Sequence, residues 1–147
     1  MSHTPRFAQI GETFERTLTI DEDSIRAFAA TCGDFNPLHH DAAFAQRTRF
    51  GGLIASGPHT ASLLMAMTAT HFTQRCSGVG LDFSLRFRAA VRAGDTLSMR
   101  WTVTHVEHKP SLNGEFVTLR GEARKINGDA GTTVLTSTGL LLLTDRL

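Results

Sequence analysis

The stretch Gly33-Asp34-Phe35-Asn36-Pro37-Leu38-His39 sets a carboxylate and an imidazole on one short, proline-stiffened loop. A histidine positioned beside a carboxylate can activate water and relay a proton near neutral pH. Further along, Ser56-Gly57-Pro58 has the look of a helix start, with proline suited to the first helical position. There the unobstructed N–H of Gly57 meets the positive end of the helix dipole, a good place for an oxyanion. Asp34 and His39 facing such a site are a general acid/base centre in outline.

Each residue also has a plainer reading. Asp34 alone suits a turn, its carboxylate bonding the backbone of Asn36. His39 alone suits a packed or solvated position. Asn36 and Pro37 change the balance, because proline pushes the residue before it out of the helical region and fixes the bend. Leu38 anchored between them would hold both side chains toward one pocket. His39-His40-Asp41 invites a metal reading, but adjacent residues rarely point at one ion and no third ligand stands at a useful spacing, so no metal is expected. Ser56 lacks a G-x-S-x-G elbow and is not read as a nucleophile. Arg47, Arg49, Arg86, Arg88 and Arg92 are read as a solvated face.

The elements that must position this centre follow from periodicity. Thr13 to Ile20 alternates and predicts a strand. Asp21 is placed to cap a helix carrying Glu22 and Asp23 in its first turn; Ile25, Phe28, Ala29 and Cys32 make its apolar stripe, and Gly33 its left-handed end. Asp41 to Gln46 predicts a short helix. From Pro58 to about Phe72 runs a helix with no charged residue between Gly57 and Thr70. A helix without a charged face is one that other elements surround. Leu81 to Phe87 and Leu97 to Val103 alternate cleanly, and Phe116 to Ile126 and Thr132 to Leu143 add two more β-rich runs. One strand, helices, then four strands predict an α+β domain: a mostly antiparallel sheet curled around one long helix. Its edges predict a homodimer sharing a sheet edge. Met65, Met67, Leu63, Phe35, Phe44 and Phe83 are candidates to shape the pocket.

With 147 residues, no linker and no repeat, one domain over 1–147 is expected. Fifteen basic against fourteen acidic residues, with no tyrosine, give no electrostatic or stacking basis for a nucleic-acid partner or a polybasic membrane contact. Cys32 and Cys76 form no CxxC pair and are expected as buried free thiols in helices, which points to a reducing compartment. No apolar run follows the N-terminus and none is long enough to span a bilayer, so a cytoplasmic location is expected.

The G-D-x-N-P-[LIV]-H pattern at Gly33 to His39, followed after five residues by the small Ala45, resembles the signature of the MaoC-like dehydratases, the group that contains the (R)-specific enoyl-CoA hydratases. The likeness extends through Gly11-Glu12-Thr13-Phe14, Ile54-Ala55-Ser56-Gly57 and the segment from Phe87 to Gly94-Asp95-Thr96-Leu97. Ser56-Gly57-Pro58-His59-Thr60 is similar to a branch of MaoC-like acyl dehydratases. The resemblance implies a hot-dog fold, a homodimer or dimer of dimers, and acyl thioesters of coenzyme A or acyl carrier protein as substrates. It implies no cofactor. It gives Asp34 and His39 the role of holding the water added across the enoyl double bond, and Gly57 N–H that of receiving the thioester oxygen. Asn36, Pro37 and Ser56 would organise the site. The chain departs from the family pattern at Phe28, usually tyrosine, at Ser56, often histidine, at Met65, a serine in some hydratases, and at Ala90, usually proline. The acid/base pair is intact. Hot-dog thioesterases and non-catalytic acyl-CoA-binding modules are the alternative classes; release of free thiol would mark the first and absence of turnover the second.

Overall fold

The computed structural model describes residues 3–146. The elements run β1 (Thr13–Thr19), α1 (Glu22–Cys32), α2 (Ala42–Gln46), α3 (Gly57–Phe72), β2 (Ser77–Phe87), β3 (Thr96–Lys109), β4 (Gly114–Lys125) and β5 (Thr133–Thr144). The strands form one antiparallel sheet in the order β1-β3-β4-β5-β2, wrapped on α3 in the hot-dog manner the sequence predicts.

The alternation in β3 is realised as expected: Leu97, Met99, Trp101 and Val103 are all buried. Trp101 is the centre of the packing. Its partner across the sheet is Gly121, where an added Cβ would stand 2.7 Å from the indole, so only glycine lets the ring lie flat there. Phe83 meets the same ring edge-on. The indole N–H donates to the Leu64 carbonyl at 2.8 Å, which satisfies the buried donor and pins α3 to the sheet.

The caps fall where the sequence puts them. Asp21 accepts from Ser24 N–H at 2.7 Å, and Gly33 ends α1 with φ of 74°, left-handed backbone that favours glycine. The N-terminal arm was not foreseen. The backbone N–H groups of Arg6 and Phe7 donate to the fully buried Glu115 carboxylate at 2.7 and 3.1 Å, and His3 Nε2 bonds it at 2.9 Å. Burial alone would raise the Glu115 pKa; these bonds outweigh it and hold the carboxyl below its ordinary value.

Five expectations need correction. The long helix begins at Gly57, one residue before the expected start. β2 begins at Ser77, four residues ahead of its clean alternation, and its register shifts at Leu81 between Gly80 and Asp82, which hides the first part of the pattern. Cys32 is exposed, because the buried stripe of α1 ends at Ala29 and the last turn, Ala30 to Cys32, runs out into the loop. Cys76 is a buried free thiol but lies past the end of α3, not within a helix. The uncharged helix is also not surrounded within one chain. Leu64, Met67, Thr68 and Phe72 are buried, but Ser62, Ala66, Ala69 and Thr70 stay exposed. No helix among the described residues is long and apolar enough to cross a membrane.

Candidate active site

The loop after α1 is cross-linked to itself before it meets anything else. Asp34 Oδ1 accepts from Asn36 N–H at 3.1 Å, and Asn36 Oδ1 accepts from Leu38 N–H at 3.1 Å, two successive Asx turns. Pro37 holds Asn36 at ψ 121°, and Pro37 to His39 close one turn of 3₁₀ helix. His40 Nε2 donates to the Asp34 carbonyl at 2.6 Å. So the turn reading of Asp34 is correct and occupies one of its oxygens. The other, Oδ2, is left for His39.

His39 is tied to the strand-like segment that leads into α3. Ile54 N–H donates to the Leu38 carbonyl at 3.2 Å, and His39 Nδ1 lies 2.7 Å from the Ile54 carbonyl oxygen. A carbonyl only accepts, so Nδ1 carries the hydrogen and the neutral ring presents a bare Nε2. That Nε2 lies 3.4 Å from Asp34 Oδ2, with the histidine side chain 8% and the aspartate 38% exposed. The buried ring is fixed while the carboxylate remains open to solvent.

Ala55 N–H donates to the Val91 carbonyl at 2.8 Å, and Ile54 bridges Arg92, which sets this segment against the turn before β3. Three residues beyond Ile54, Gly57 is the first residue of α3. Ser56, buried at the N-cap, makes no side-chain cap bond, and Pro58 has no N–H to offer. His59 N–H donates to the Ser56 carbonyl at 3.0 Å, so Gly57 N–H is the first-turn donor left for an incoming oxygen, at the positive end of a sixteen-residue dipole. A Cβ on Gly57 would stand 3.0 Å from the Phe87 ring, which is 54% exposed. A cavity of about 390 Å³ opens beside it, lined by Gly57, Thr60, Phe87, Ala89, Arg49 and Phe50.

Of the residues expected at the site, Asp34, Asn36, Pro37 and His39 come together on one loop, and Ser56 and Gly57 are joined to it through Ile54. Phe35, at 73% exposure, faces solvent, and Phe44 is exposed. Ala45 is fully buried, which explains a small residue there. Sequence reasoning passed over Phe87, Phe50 and Arg49 as walls of the cavity, because nothing in a strand or loop pattern says what an edge side chain will cover. It also passed over His59. This ring is buried and stacks on Phe28, with centroids 4.7 Å apart. Burial pushes its pKa down, nearby Asp21 offsets part of this, and His39 adds to the depression. Among the described residues, no three His, Cys, Asp or Glu side chains cluster as metal ligands would.

The arrangement offers two proton acceptors facing each other and, beyond the carbonyl that orients one of them, an uncapped helix start that can receive negative charge. Comparison with known proteins points the same way. A family model described as the MaoC like domain matches residues 6–122. The chain is 36% identical to 3-hydroxybutyryl-CoA dehydratase of Methylorubrum extorquens over 67% of its own length and 62% of that protein's. It is 35% identical to the (R)-specific enoyl-CoA hydratase of Rhodospirillum rubrum, over 75% of this chain and 73% of that one. Among solved structures, unliganded R-hydratase PhaJ1 from Pseudomonas aeruginosa superposes with a TM-score of 0.83 at 29% identity, covering 95% of this chain and 84% of that one.

Proposed function

The chain belongs to the MaoC-like domain family, and from that membership together with the loop geometry we propose that it is a hydro-lyase. It adds water to trans-2-enoyl thioesters of coenzyme A, or of acyl carrier protein, to give (R)-3-hydroxyacyl thioesters, and it runs the reverse dehydration. The one observation that carries this reading is the facing of His39 Nε2 and Asp34 Oδ2 with the histidine tautomer fixed by Ile54. Both atoms are acceptors, and a water molecule has one hydrogen for each. Its oxygen attacks the β-carbon, one of its protons passes to His39 Nε2, and a proton is returned to the α-carbon. The thioester oxygen takes up the electron pair in the enolate-like stage. Gly57 N–H, at the start of α3, stabilises that oxygen, with Ser56 ending the segment that carries it. Asn36 and Pro37 keep Asp34 in register. The thioester itself acidifies the α-carbon and polarises the β-carbon, so no redox cofactor enters the step.

One domain over 1–147 carries the whole reading, and the working unit is a homodimer. β2 is a sheet edge, and its Val79, Leu81 and Phe87 are among the most exposed large apolar side chains described. A groove of about 620 Å³ runs between it and the open face of α3, lined by Met65, Ala66, Ala69, Leu81, Phe83 and Leu85. A second copy pairing β2 with β2 would extend the sheet and cover that uncharged helix face. Two free thiols fit a reducing, cytoplasmic setting.

The test is to add the protein to crotonyl-CoA and longer enoyl-CoAs and follow enoyl absorbance and free thiol together. Loss of absorbance without thiol release supports hydration; thiol release would make the protein a thioesterase instead.

A further inference from the structure

A separate cavity of about 270 Å³ lies between β1 and the C-terminal half of α3, and the Asp34–His39 loop contributes nothing to its walls. Phe14 and Met67 give it an apolar lining, and Arg16, Thr70, His71 and Gln74 a polar one. Glu15 completes the rim, already ion-paired to Arg100. The His71 ring is held firmly there. It stacks on Phe14 with centroids 3.9 Å apart, meets Phe72 edge-on, and sets Nε2 2.5 Å from Glu12 Oε2. Arg75 donates to the same carboxylate oxygen and to the Phe7 carbonyl, which keeps Glu12 in place. A carboxylate only accepts, so Nε2 carries the hydrogen and the neutral ring keeps a bare Nδ1. That Nδ1 has no partner among the described residues and is open to solvent, since His59 Nδ1 is the one buried side-chain nitrogen or oxygen left unpaired there. Gln74 gives its amide N–H to the Thr70 carbonyl at 3.2 Å, which leaves its Oε1 as a second acceptor.

Arg16 stands between the half-buried Phe14 and Leu18 on the helix-facing side of β1. Its side chain makes no ion pair or hydrogen bond among the described residues. Inward strand positions are ordinarily apolar, and an unpaired guanidinium among them presents its donors to whatever enters the cavity.

We propose that this cavity binds a short-chain hydroxycarboxylate. Arg16 takes the carboxylate, the planar anion that a guanidinium matches best. His71 Nδ1 accepts the hydroxyl, and the carbon chain lies on Phe14 and Met67. A few placed polar groups over an apolar floor are the make-up of a small-molecule site, and a cavity just below the drug-sized range suits a small ligand. The ligand's donor is a hydroxyl and not an ammonium, because Arg100 already holds Glu15, the carboxylate of the lining. The site stands apart from the hydration chemistry, and binding here needs neither Asp34 nor His39.

The test titrates 3-hydroxyhexanoate, hexanoate and hexanol into the full chain, with calorimetry for affinity and imidazole nitrogen shifts to locate the ligand. The hydroxy acid is expected to bind and to move the His71 signals while leaving those of His39 in place. Hexanoate should bind about tenfold more weakly, for want of the hydroxyl, and hexanol not measurably. Arg16→Gln, at an exposed edge position, should keep the melting temperature and weaken the hydroxy acid at least about tenfold, the worth of a charge-assisted pair. Asp34→Asn should bind it as tightly as wild type. No binding by the wild type, hexanoate as tight as the hydroxy acid, or unchanged affinity in Arg16→Gln would overturn the proposal. So would lost affinity in Asp34→Asn, or shifts at His39 in place of His71, since either would put the ligand on the loop.

Discussion

Nε2 of His39 and Oδ2 of Asp34 face each other across 3.4 Å, and with Nδ1 committed to the Ile54 carbonyl both atoms offer lone pairs. That separation exceeds an ordinary hydrogen bond. Two acceptors this close are bridged best by a molecule that lies beside the pair and donates to each, and water does. The relationship depends on three backbone devices: the two Asx turns of Asp34 and Asn36 and the bond between Leu38 and Ile54.

Asn36→Ala tests the first of these. It removes the acceptor for Leu38 N–H and should cost about 1 kcal/mol of stability, the usual worth of such a cap. Because His39 is the third residue from Asn36, kcat should fall by more than KM rises. Denaturant titration and steady-state kinetics on the same preparation check both; unchanged kcat would mean that the loop holds its shape without this bond.

Gly57→Ala tests the helix start. The new methyl would sit 3.0 Å from the Phe87 ring, which is exposed enough to move, so stability should change little. Turnover should drop, because the methyl and the displaced ring crowd the N–H proposed to receive the oxyanion. Phe87→Ala added to Gly57→Ala should recover part of the loss. Strict additivity of the two variants would show that the ring and the glycine do not share a space.

Stability should fall in two separate steps as pH is lowered. His59 has its folded pKa below the ordinary 6.5, chiefly through burial, so the unfolded chain binds the proton first. Its contribution is complete above pH 6.5 and is lost as pH falls from there through the folded value. Glu115 and Glu12 are held below their ordinary 4.5, hydrogen bonds outweighing burial, and their contribution is lost only as pH falls through their lower folded values. Thermal melts across pH 3 to 8, a span set by about the ordinary pKa values of these groups, resolve the steps. In His59→Asn, which does not titrate, the upper step should vanish and the lower one remain; an unchanged upper step would assign it to another group.

Leu81→Lys tests the edge. Sedimentation equilibrium should find the wild-type protein dimeric and the variant monomeric, since a charge at the centre of the groove against α3 costs too much to bury. A dimer that survives Leu81→Lys would place the interface elsewhere.

Much of this was legible in the sequence. The Asp21 cap, the Gly33 stop, the Asn36-Pro37 bend and the alternation of β3 are local rules, and local rules read well from spacing. What was missed depends on distance along the chain. Glu115 is buried in β4 because the backbone of Arg6 and Phe7 reaches it from the other end of the protein. Cys32 keeps helical spacing with Ala29, but the packing stops one turn early. β2 carries an extra residue at Leu81, so its first half breaks the alternation that marks its second. His59 is one of several polar residues on an uncharged helix, and periodicity alone does not say that its ring will be buried against Phe28.

Asp34 and His39 are proposed to move the proton of water together. The most direct measurement is the rate of enoyl absorbance loss on crotonyl-CoA for the wild type, Asp34→Asn and His39→Ala. Asparagine at 34 can still accept from Asn36 N–H and so keeps the turn. The rate is expected to fall from wild type by at least about a hundredfold in each variant, the scale of a lost acid/base group, with melting temperatures close to wild type. Either variant turning over at the wild-type rate would contradict it.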